Sequence, residues 1–262
     1  MVISDKYEYV FVELPRTGST AISRELREHY DGRNVLHKHA TYDEFLGSVA
    51  AGRKDYFALG GLRNPLDDAV SLYFKLLTDH KRAYSDLMHL NWFTRLAYAF
   101  RRRQFRFAQD GKAEFSRFFL KFYRWPYDNW SCLSHSRFDC LLRFENLEAD
   151  FARAVAGFGA TAVRALPVTN KTAERQMHYS SYYDDAAIAR AKWVFGVYMQ
   201  KWGYEFPKEW GADSTRPSAW NLLVFRVLNV FRRFYWRHLR PAIYARTVRE
   251  RRERRKAQQT GT

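Results

Sequence analysis

The pattern of apolar and polar positions predicts strands and helices in alternation along most of this chain. Short apolar runs rich in β-branched and aromatic residues predict strands at residues 9–12, 56–59 and 138–144. Helical spacing follows each of these runs, as at residues 148–158, and again at residues 184–202. Such alternation indicates a three-layer α/β domain with a mostly parallel sheet of about five strands and helices on both faces.

A second kind of helical pattern occupies residues 79–130, which are both aromatic and basic. We expect this segment to be a helical insertion, in a domain spanning residues 1–210, that binds an acidic or sugar molecule by ion pairing and stacking. The alternative is an amphipathic helix whose arginines extend to solvent over apolar neighbours. Its basic and aromatic side chains are interleaved: Phe100, Arg101, Arg102, Arg103, Phe105, Arg106 and Phe107.

Residues 218–262 form a separate basic tail with amphipathic helical spacing. On a helical wheel the apolar side chains cover one side, and a run of charge follows at residues 249–256. This pattern predicts an interfacial anchor in which residues 220–256 bind an anionic membrane surface. The alternative is that this helix packs on the preceding domain, residues 1–210, or on a second subunit. The other side of the wheel carries Arg226, Arg233, Arg237 and Arg240.

Composition narrows the class of partner. The formal net charge is +16, which favours a polyanionic ligand or surface. A hydrophobic fraction of 47% argues against disorder. The two cysteines imply no disulfide framework, and no Cys/His group has zinc-ligand spacing, so no metal is expected. No signal peptide or spanning segment is evident, and we expect a cytoplasmic protein, free or peripheral on the cytoplasmic membrane face.

The first candidate site lies directly after the strand at residues 9–12. A turn with Pro15 and Gly18 leads into a helix, so several backbone N–H groups and a helix dipole converge on one point. That arrangement is an anion cradle, although an ordinary strand–turn–helix junction has the same pattern. The triphosphate-binding spacing Gly-x-x-x-x-Gly-Lys-Ser/Thr is absent, because the cation, Arg16, precedes the glycine.

A second phosphate site is predicted at Arg63 and Ser71. The sequence Arg63-Asn64-Pro65 ends a strand, and Ser71 lies eight residues after Arg63, about two helical turns along. An arginine fork and a serine hydroxyl can bind one phosphate together. The alternative is a salt-bridged arginine and a serine on a helix surface.

A candidate base lies at residues 34–41, which we predict to be the second strand. His37 and His39 would share one face of that strand and Lys38 would point the other way. A histidine beside the phosphate loop can accept a hydroxyl proton, since its usual pKa is about 6.5. Two polar residues at a strand end are the alternative.

Together these motifs resemble the sulfotransferases that use 3′-phosphoadenosine 5′-phosphosulfate (PAPS). LPRTGST is similar to their phosphosulfate loop. Arg63-Asn64-Pro65, together with Ser71-Leu72-Tyr73, is similar to their 3′-phosphate motif. Residues 143–147 are similar to a short sequence that follows that motif in the family. His-x-His resembles the uronyl 2-O-sulfotransferases of the heparan-sulfate type. The resemblance implies a P-loop-like fold and these donor-binding residues: Pro15, Arg16, Thr17, Gly18, Ser19, Thr20, Arg63, Ser71 and Lys171.

The resemblance also implies the reaction. A sulfuryl group would pass from PAPS to a hydroxyl of a carbohydrate or glycolipid, with His39 as base, His37 orienting the acceptor and Arg16 stabilising charge. The product would be 3′,5′-adenosine bisphosphate, and no metal is needed. Two alternatives remain: a P-loop-type kinase that uses ATP and magnesium, and a non-catalytic basic protein that binds membrane or nucleic acid. We disfavour nucleic-acid binding, because it would not explain why two phosphate motifs occur together.

Overall fold

A computed structural model describes residues 1–48, 52–89, 91–110, 114–167, 176–211 and 217–260. The chain forms two compact units. The first unit contains residues 1–64 and 128–171, and the second contains residues 65–127 and 172–262. The proposed donor residue Lys171 lies outside the described residues.

The first unit contains a five-stranded sheet with the order β3-β1-β2-β4-β5. Strand β1 pairs antiparallel with β2 and with β3, whereas β4 pairs parallel with both β2 and β5. The sheet is therefore mixed, and the predicted mostly parallel sheet is wrong for the β3–β1–β2 side. The strands are β1 Val2–Ser4, β2 Tyr9–Val12, β3 Arg33–Asn34, β4 Phe57–Leu62 and β5 Cys140–Arg143.

The predicted strand at residues 34–41 is also wrong. Its place beside β2 is taken by β1, a three-residue strand that the sequence pattern did not reveal. The chain after the first helix therefore adds only Arg33–Asn34 outside β1. Leu36 then adopts a positive φ of 54°, which ends the extended conformation. His37, Lys38 and His39 consequently lie in a loop.

Helices make up most of the remaining structure. In the described residues they are α1 Ser19–His29, α2 Tyr42–Ser48, α3 Pro65–Leu77, α4 Trp92–Ala97, α5 Ala99–Gln109, α6 Phe115–Phe122, α7 Leu147–Gly157, α8 Asp185–Trp202, α9 Ala219–Phe234 and α10 Arg240–Thr260. Short 3-10 helices span His80–Arg82, Ser85–His89, Trp130–Leu133, His135–Arg137, Phe144–Asn146, Tyr179–Tyr182 and Lys208–Trp210, and a π-helical turn spans Tyr235–Leu239.

One face of the sheet carries the main core of the first unit. Helices α1 and α7 pack there, because their apolar positions recur at helical spacing and the strands are buried. On the other face, Phe138 and His135 approach β4 at Gly60. The core on the α1 and α7 face contains Tyr9, Phe11, Ile22, Leu26, Leu59, Leu142, Phe151, Ala154 and Val155.

The described residues of the second unit contain no strand, and they include most of the predicted helical insertion and the tail. Helices α3, α6 and α8 share an apolar core that includes Phe118, Phe119 and Phe195. The tail is helical as expected, with the π turn before Pro241. Since Pro241 has no N–H for the carbonyl of Arg237, a wider turn at this point lets the helix continue.

Candidate functional site

Three loops of the first unit follow the carboxyl ends of its three parallel strands. Residues 13–18 follow β2, residues 63–64 follow β4, and residues 144–147 follow β5. In α/β sheets, ligands characteristically bind at these carboxyl ends. The candidate site is therefore built from these three loops.

The loop after β2 turns sharply before α1. Arg16 and Gly18 both adopt positive φ angles, of 66° and 74°. Thr17 is buried, and its hydroxyl donates to the Leu14 carbonyl over 2.9 Å. Gly18 is the N-cap residue of α1, so the first-turn N–H groups of that helix open at this loop. Residues 15–20 thus form a sharp turn at the N-terminus of α1, with Pro15 and Thr20 half-buried and Ser19 buried, and anion binding there stays a prediction.

Two glycines let neighbouring elements approach this loop. A Cβ on Gly61 in β4 would lie 2.6 Å from the Thr17 Cβ, so only glycine leaves room for Thr17. A Cβ on Gly18 would lie 2.7 Å from Cδ2 of Leu147, at the start of α7. Gly60 and Gly61 both lie inside β4 and make space for packing.

Arg63 locks the loop after β4 onto the loop after β2. The Arg63 side chain is buried, and its Nη1 donates to the Arg16 carbonyl over 2.9 Å. Its guanidinium also stacks over the Phe144 ring, 4.1 Å from the centroid. The Asn64 N–H donates to Oε1 of Glu145 over 2.6 Å. Residues 143–147 therefore contact both of the predicted donor motifs.

One predicted donor residue, Ser71, belongs to the other compact unit. Ser71 lies on α3 in the second unit and is fully buried. The convergence of Arg63 and Ser71 on one phosphate therefore stays a prediction. Within the first unit, the described site residues are the loop at residues 15–20, Arg63 and both histidines.

His39 lies next to the start of the same loop. Its Nδ1 donates to the Glu13 carbonyl over 2.8 Å, and its ring meets Trp130 edge-on with centroids 6.5 Å apart. A carbonyl can only accept, so Nδ1 carries the proton and the lone pair of the neutral ring is on Nε2. The loop holds the imidazole in the tautomer that a general base needs.

His37 is held by a different partner. Its Nε2 donates to Oε1 of Glu44 over 2.8 Å. Glu44 and Thr41 form a capping box at the start of α2, with the Thr41 N–H donating to Glu44 Oε2 and the Glu44 N–H donating to Thr41 Oγ1. Partial burial raises the pKa of Glu44, but hydrogen bonds from His37 and Thr41 outweigh it and lower this pKa to about 2. His37 thus ties the histidine loop to α2.

Lys38 is a site residue that sequence reasoning missed. Its exposed Nζ donates to Oγ1 of Thr20 in the first turn of α1, over 3.0 Å. In the predicted strand, Lys38 would point away from the face that carries the two histidines. Strand alternation does not apply in a loop. The signal in the sequence was the lysine between the two histidines.

A cavity of about 260 Å³ lies beside this turn of α1. Lys38 and Arg27 supply positive charge to its wall, and Thr20 and Ser23 supply hydroxyls. The Glu13 carboxylate also lines it and is paired with the Met1 amino group over 2.8 Å. Its volume is below the usual range of drug-sized ligand pockets, about 300–1,000 Å³, so it suits a small anionic group rather than a whole nucleotide.

One group of possible metal ligands occurs in the described part of the chain. It consists of Glu25, Glu28 and His29 at the end of α1. Arg164 already donates to both carboxylates, over 2.8 Å to Glu25 and 3.4 Å to Glu28. Since the guanidinium already occupies oxygens of both carboxylates, the group offers a poor cation site.

The aromatic residues of the predicted acceptor segment are mostly used in packing. Phe105 stacks with Tyr84, and Phe107 contacts Phe118 and Phe122 in the core of the second unit. Phe100 by contrast is 59% exposed. This packing matches the alternative of an amphipathic helix for much of residues 99–109.

Comparisons of this chain with protein families, with curated proteins and with solved structures find no match. No described helix is both long enough and apolar enough to cross a membrane.

Proposed function

We propose that this chain is a sulfotransferase that moves the sulfuryl group of PAPS to a hydroxyl of a carbohydrate or glycolipid. The observation that carries the proposal is the interlocked pair of donor motifs, in which Arg63 donates to the carbonyl of Arg16 beside the α1 N-terminus. The resemblance of both motifs to the PAPS-dependent family gives this geometry its chemical interpretation. The proposal includes a P-loop-like fold, in which the loop after a parallel strand binds the donor.

The donor would bind with its phosphosulfate at the first turn of α1. N–H groups of residues 17–20 would bind its oxygens, since a helix N-terminus favours anions. Arg16 would add fixed positive charge, and Lys38 stands beside Thr20 to do the same. Arg63 would bind the 3′-phosphate while its other contacts hold the loop.

The chemical step is an in-line displacement at sulfur. Nε2 of His39 takes the proton of the acceptor hydroxyl, whose oxygen forms a bond to sulfur. The bond from sulfur to the bridging phosphate oxygen breaks, and its electron pair stays on the 5′-phosphate of the leaving 3′,5′-adenosine bisphosphate. Arg16 stabilises that charge but cannot protonate it at neutral pH. As in phosphoryl transfer, positioning and charge neutralisation supply most of the catalysis.

The test is transfer of labelled sulfate from PAPS to a panel of polysaccharide, glycolipid and lipopolysaccharide acceptors. We expect label in at least one acceptor and release of the bisphosphate nucleotide in equal amount. Consumption of ATP with magnesium, without use of PAPS, would contradict the proposal and favour the kinase alternative. Salt-sensitive nucleic-acid binding with no affinity for the bisphosphate would favour a non-catalytic protein.

A further inference from the structure

Helix α9 has an apolar face that is open to solvent. Exposed side chains recur along it at helical spacing and therefore share one side of the helix. Each of them has at least half of its surface exposed, a marked departure for large apolar residues on a surface helix. They are Trp220, Leu223, Val227, Val230, Phe231 and Phe234.

The opposite side of α9 is fixed to the second unit. Asn221, Phe225 and Asn229 are buried, and Nδ2 of Asn221 donates to the Trp193 carbonyl of α8 over 2.7 Å. Helix α9 is thus attached to the second unit by its buried face, while its apolar face is exposed to solvent. The exposed face belongs to the folded unit, so it is not the loose end of a frayed tail.

Helix α10 is also attached within the second unit. Oε1 of Glu250 accepts from the Thr94 hydroxyl of α4 over 2.7 Å, and the Arg246 guanidinium lies 4.5 Å from the centre of the Phe93 ring. The segment from α9 to Glu250 is therefore attached to protein near both of its ends.

Charge has one sign over residues 219–249, which cover α9, the π turn and the start of α10. Residues 219–249 contain seven arginines and no acidic residue. Arg226 and Arg233, seven residues apart, lie along one border of the exposed face, and both are exposed. Arg237 follows in the π turn and is also exposed.

We infer that this face binds the surface of an anionic lipid bilayer, with α9 lying in the interfacial plane. An apolar face bordered by arginines matches acyl chains below and phosphate headgroups beside them. Trp220 suits the same boundary, where indole rings are favoured. This inference does not depend on the proposed sulfuryl transfer.

The same observations disfavour two other occupants. In an antiparallel two-fold pair of α9 helices, the arginine border of one copy would lie against that of the other, with no acidic residue in residues 219–249 to offset the repulsion. Nucleic acid would engage the arginines but leave the large apolar face without a partner.

The experiment measures co-sedimentation of the full chain with vesicles. One set contains phosphatidylcholine with about 30% phosphatidylserine, and the other contains phosphatidylcholine alone. We expect binding that prefers the anionic vesicles and that declines with salt without vanishing, because the apolar contact is not screened. Val230→Glu with Phe231→Glu should lower binding by about tenfold or more. The matched control is Val163→Glu, a change at an exposed valine of the first unit, which should bind as the wild type does.

Arg226→Glu with Arg233→Glu provides a second variant that leaves the apolar face intact. It should lose the preference for phosphatidylserine, with a circular dichroism spectrum like that of the wild type. Wild-type binding to neither vesicle, or equal binding by the Val230→Glu, Phe231→Glu variant, would overturn the inference. A dimer in sedimentation equilibrium that these glutamates dissociate, without vesicle binding, would instead assign the face to a second copy. Binding to duplex DNA without vesicle binding would overturn it in favour of nucleic acid.

Discussion

The guanidinium of Arg63 donates to the main-chain carbonyl of Arg16 over 2.9 Å, which joins the ends of two parallel strands. The carbonyl belongs to a residue with positive φ, so the contact holds a strained turn in place. Phe144 lies beneath the guanidinium and fixes its plane. One arginine therefore holds the turn before α1, and in the proposed function it would also bind a second phosphate.

Replacement of Arg63 tests this double role. Arg63→Ala should weaken binding of 3′,5′-adenosine bisphosphate by about 2–4 kcal/mol, because a buried charge-assisted contact is lost. Arg63→Lys keeps the charge but not the fork or the stacking, and it should recover only part of that loss. Calorimetry measures both variants. Equal affinity of the wild type for AMP and for the bisphosphate would contradict a 3′-phosphate role for Arg63.

His39→Ala should lower turnover by about 10²–10⁴-fold while nucleotide affinity stays nearly unchanged. The reason is that its Nδ1 contact to Glu13 leaves the lone pair on Nε2 for the acceptor proton. His29→Ala, at the other end of α1, is the control and should keep wild-type turnover. Sulfate-transfer kinetics and nucleotide titration separate the two effects. Loss of nucleotide binding in the His39 variant would place this residue in the donor site instead.

Gly61→Ala and Gly47→Ala form a matched pair for the close approach at β4. A Cβ on Gly61 meets Thr17, whereas a Cβ on Gly47 in α2 meets nothing within 4 Å. We expect Gly61→Ala to lower the free energy of unfolding by about 1–3 kcal/mol through overpacking. Gly47→Ala should leave it unchanged or raise it by up to about 1 kcal/mol, since alanine favours helix. Denaturant unfolding measures both, and equal effects would mean that Thr17 does not pack on β4.

Stability should depend on Glu44 at low pH. Its pKa is about 2 in the folded chain, against about 4.3 in an unfolded one, so the folded state binds the proton less tightly. The stabilisation is therefore fully present above about pH 4.3 and is lost as the pH falls through about 2. Across this window the free energy of unfolding should fall more steeply for the wild type than for Glu44→Gln. Parallel pH profiles would show that the carboxylate has no such role.

The sequence by itself determined the elements whose stabilising signals are local. Strand residues 9–12 and 140–143 and the helices α7 and α8 follow from apolar runs and helical spacing, which any short window contains. Glycine, proline and arginine at fixed spacing likewise predicted the cradle at residues 15–20 and placed Arg63 at a strand end. Gly18 is the N-cap of α1 with a positive φ, as the predicted strand–turn–helix junction requires, and anion binding there stays a prediction.

Tertiary structure decided what depends on distant partners. Strand β1 exists because it pairs with β2 and β3, and three residues carry too little periodicity to reveal it. Its presence moved residues 35–41 out of the sheet, which freed Lys38 to reach Thr20 and let His39 bind the carbonyl of Glu13. The need for glycine at position 61 arises only when Thr17 packs on β4. Pairing across the chain has no local sequence signal, so the sequence predicted the turn before α1 while the fold alone arranged the groups around it.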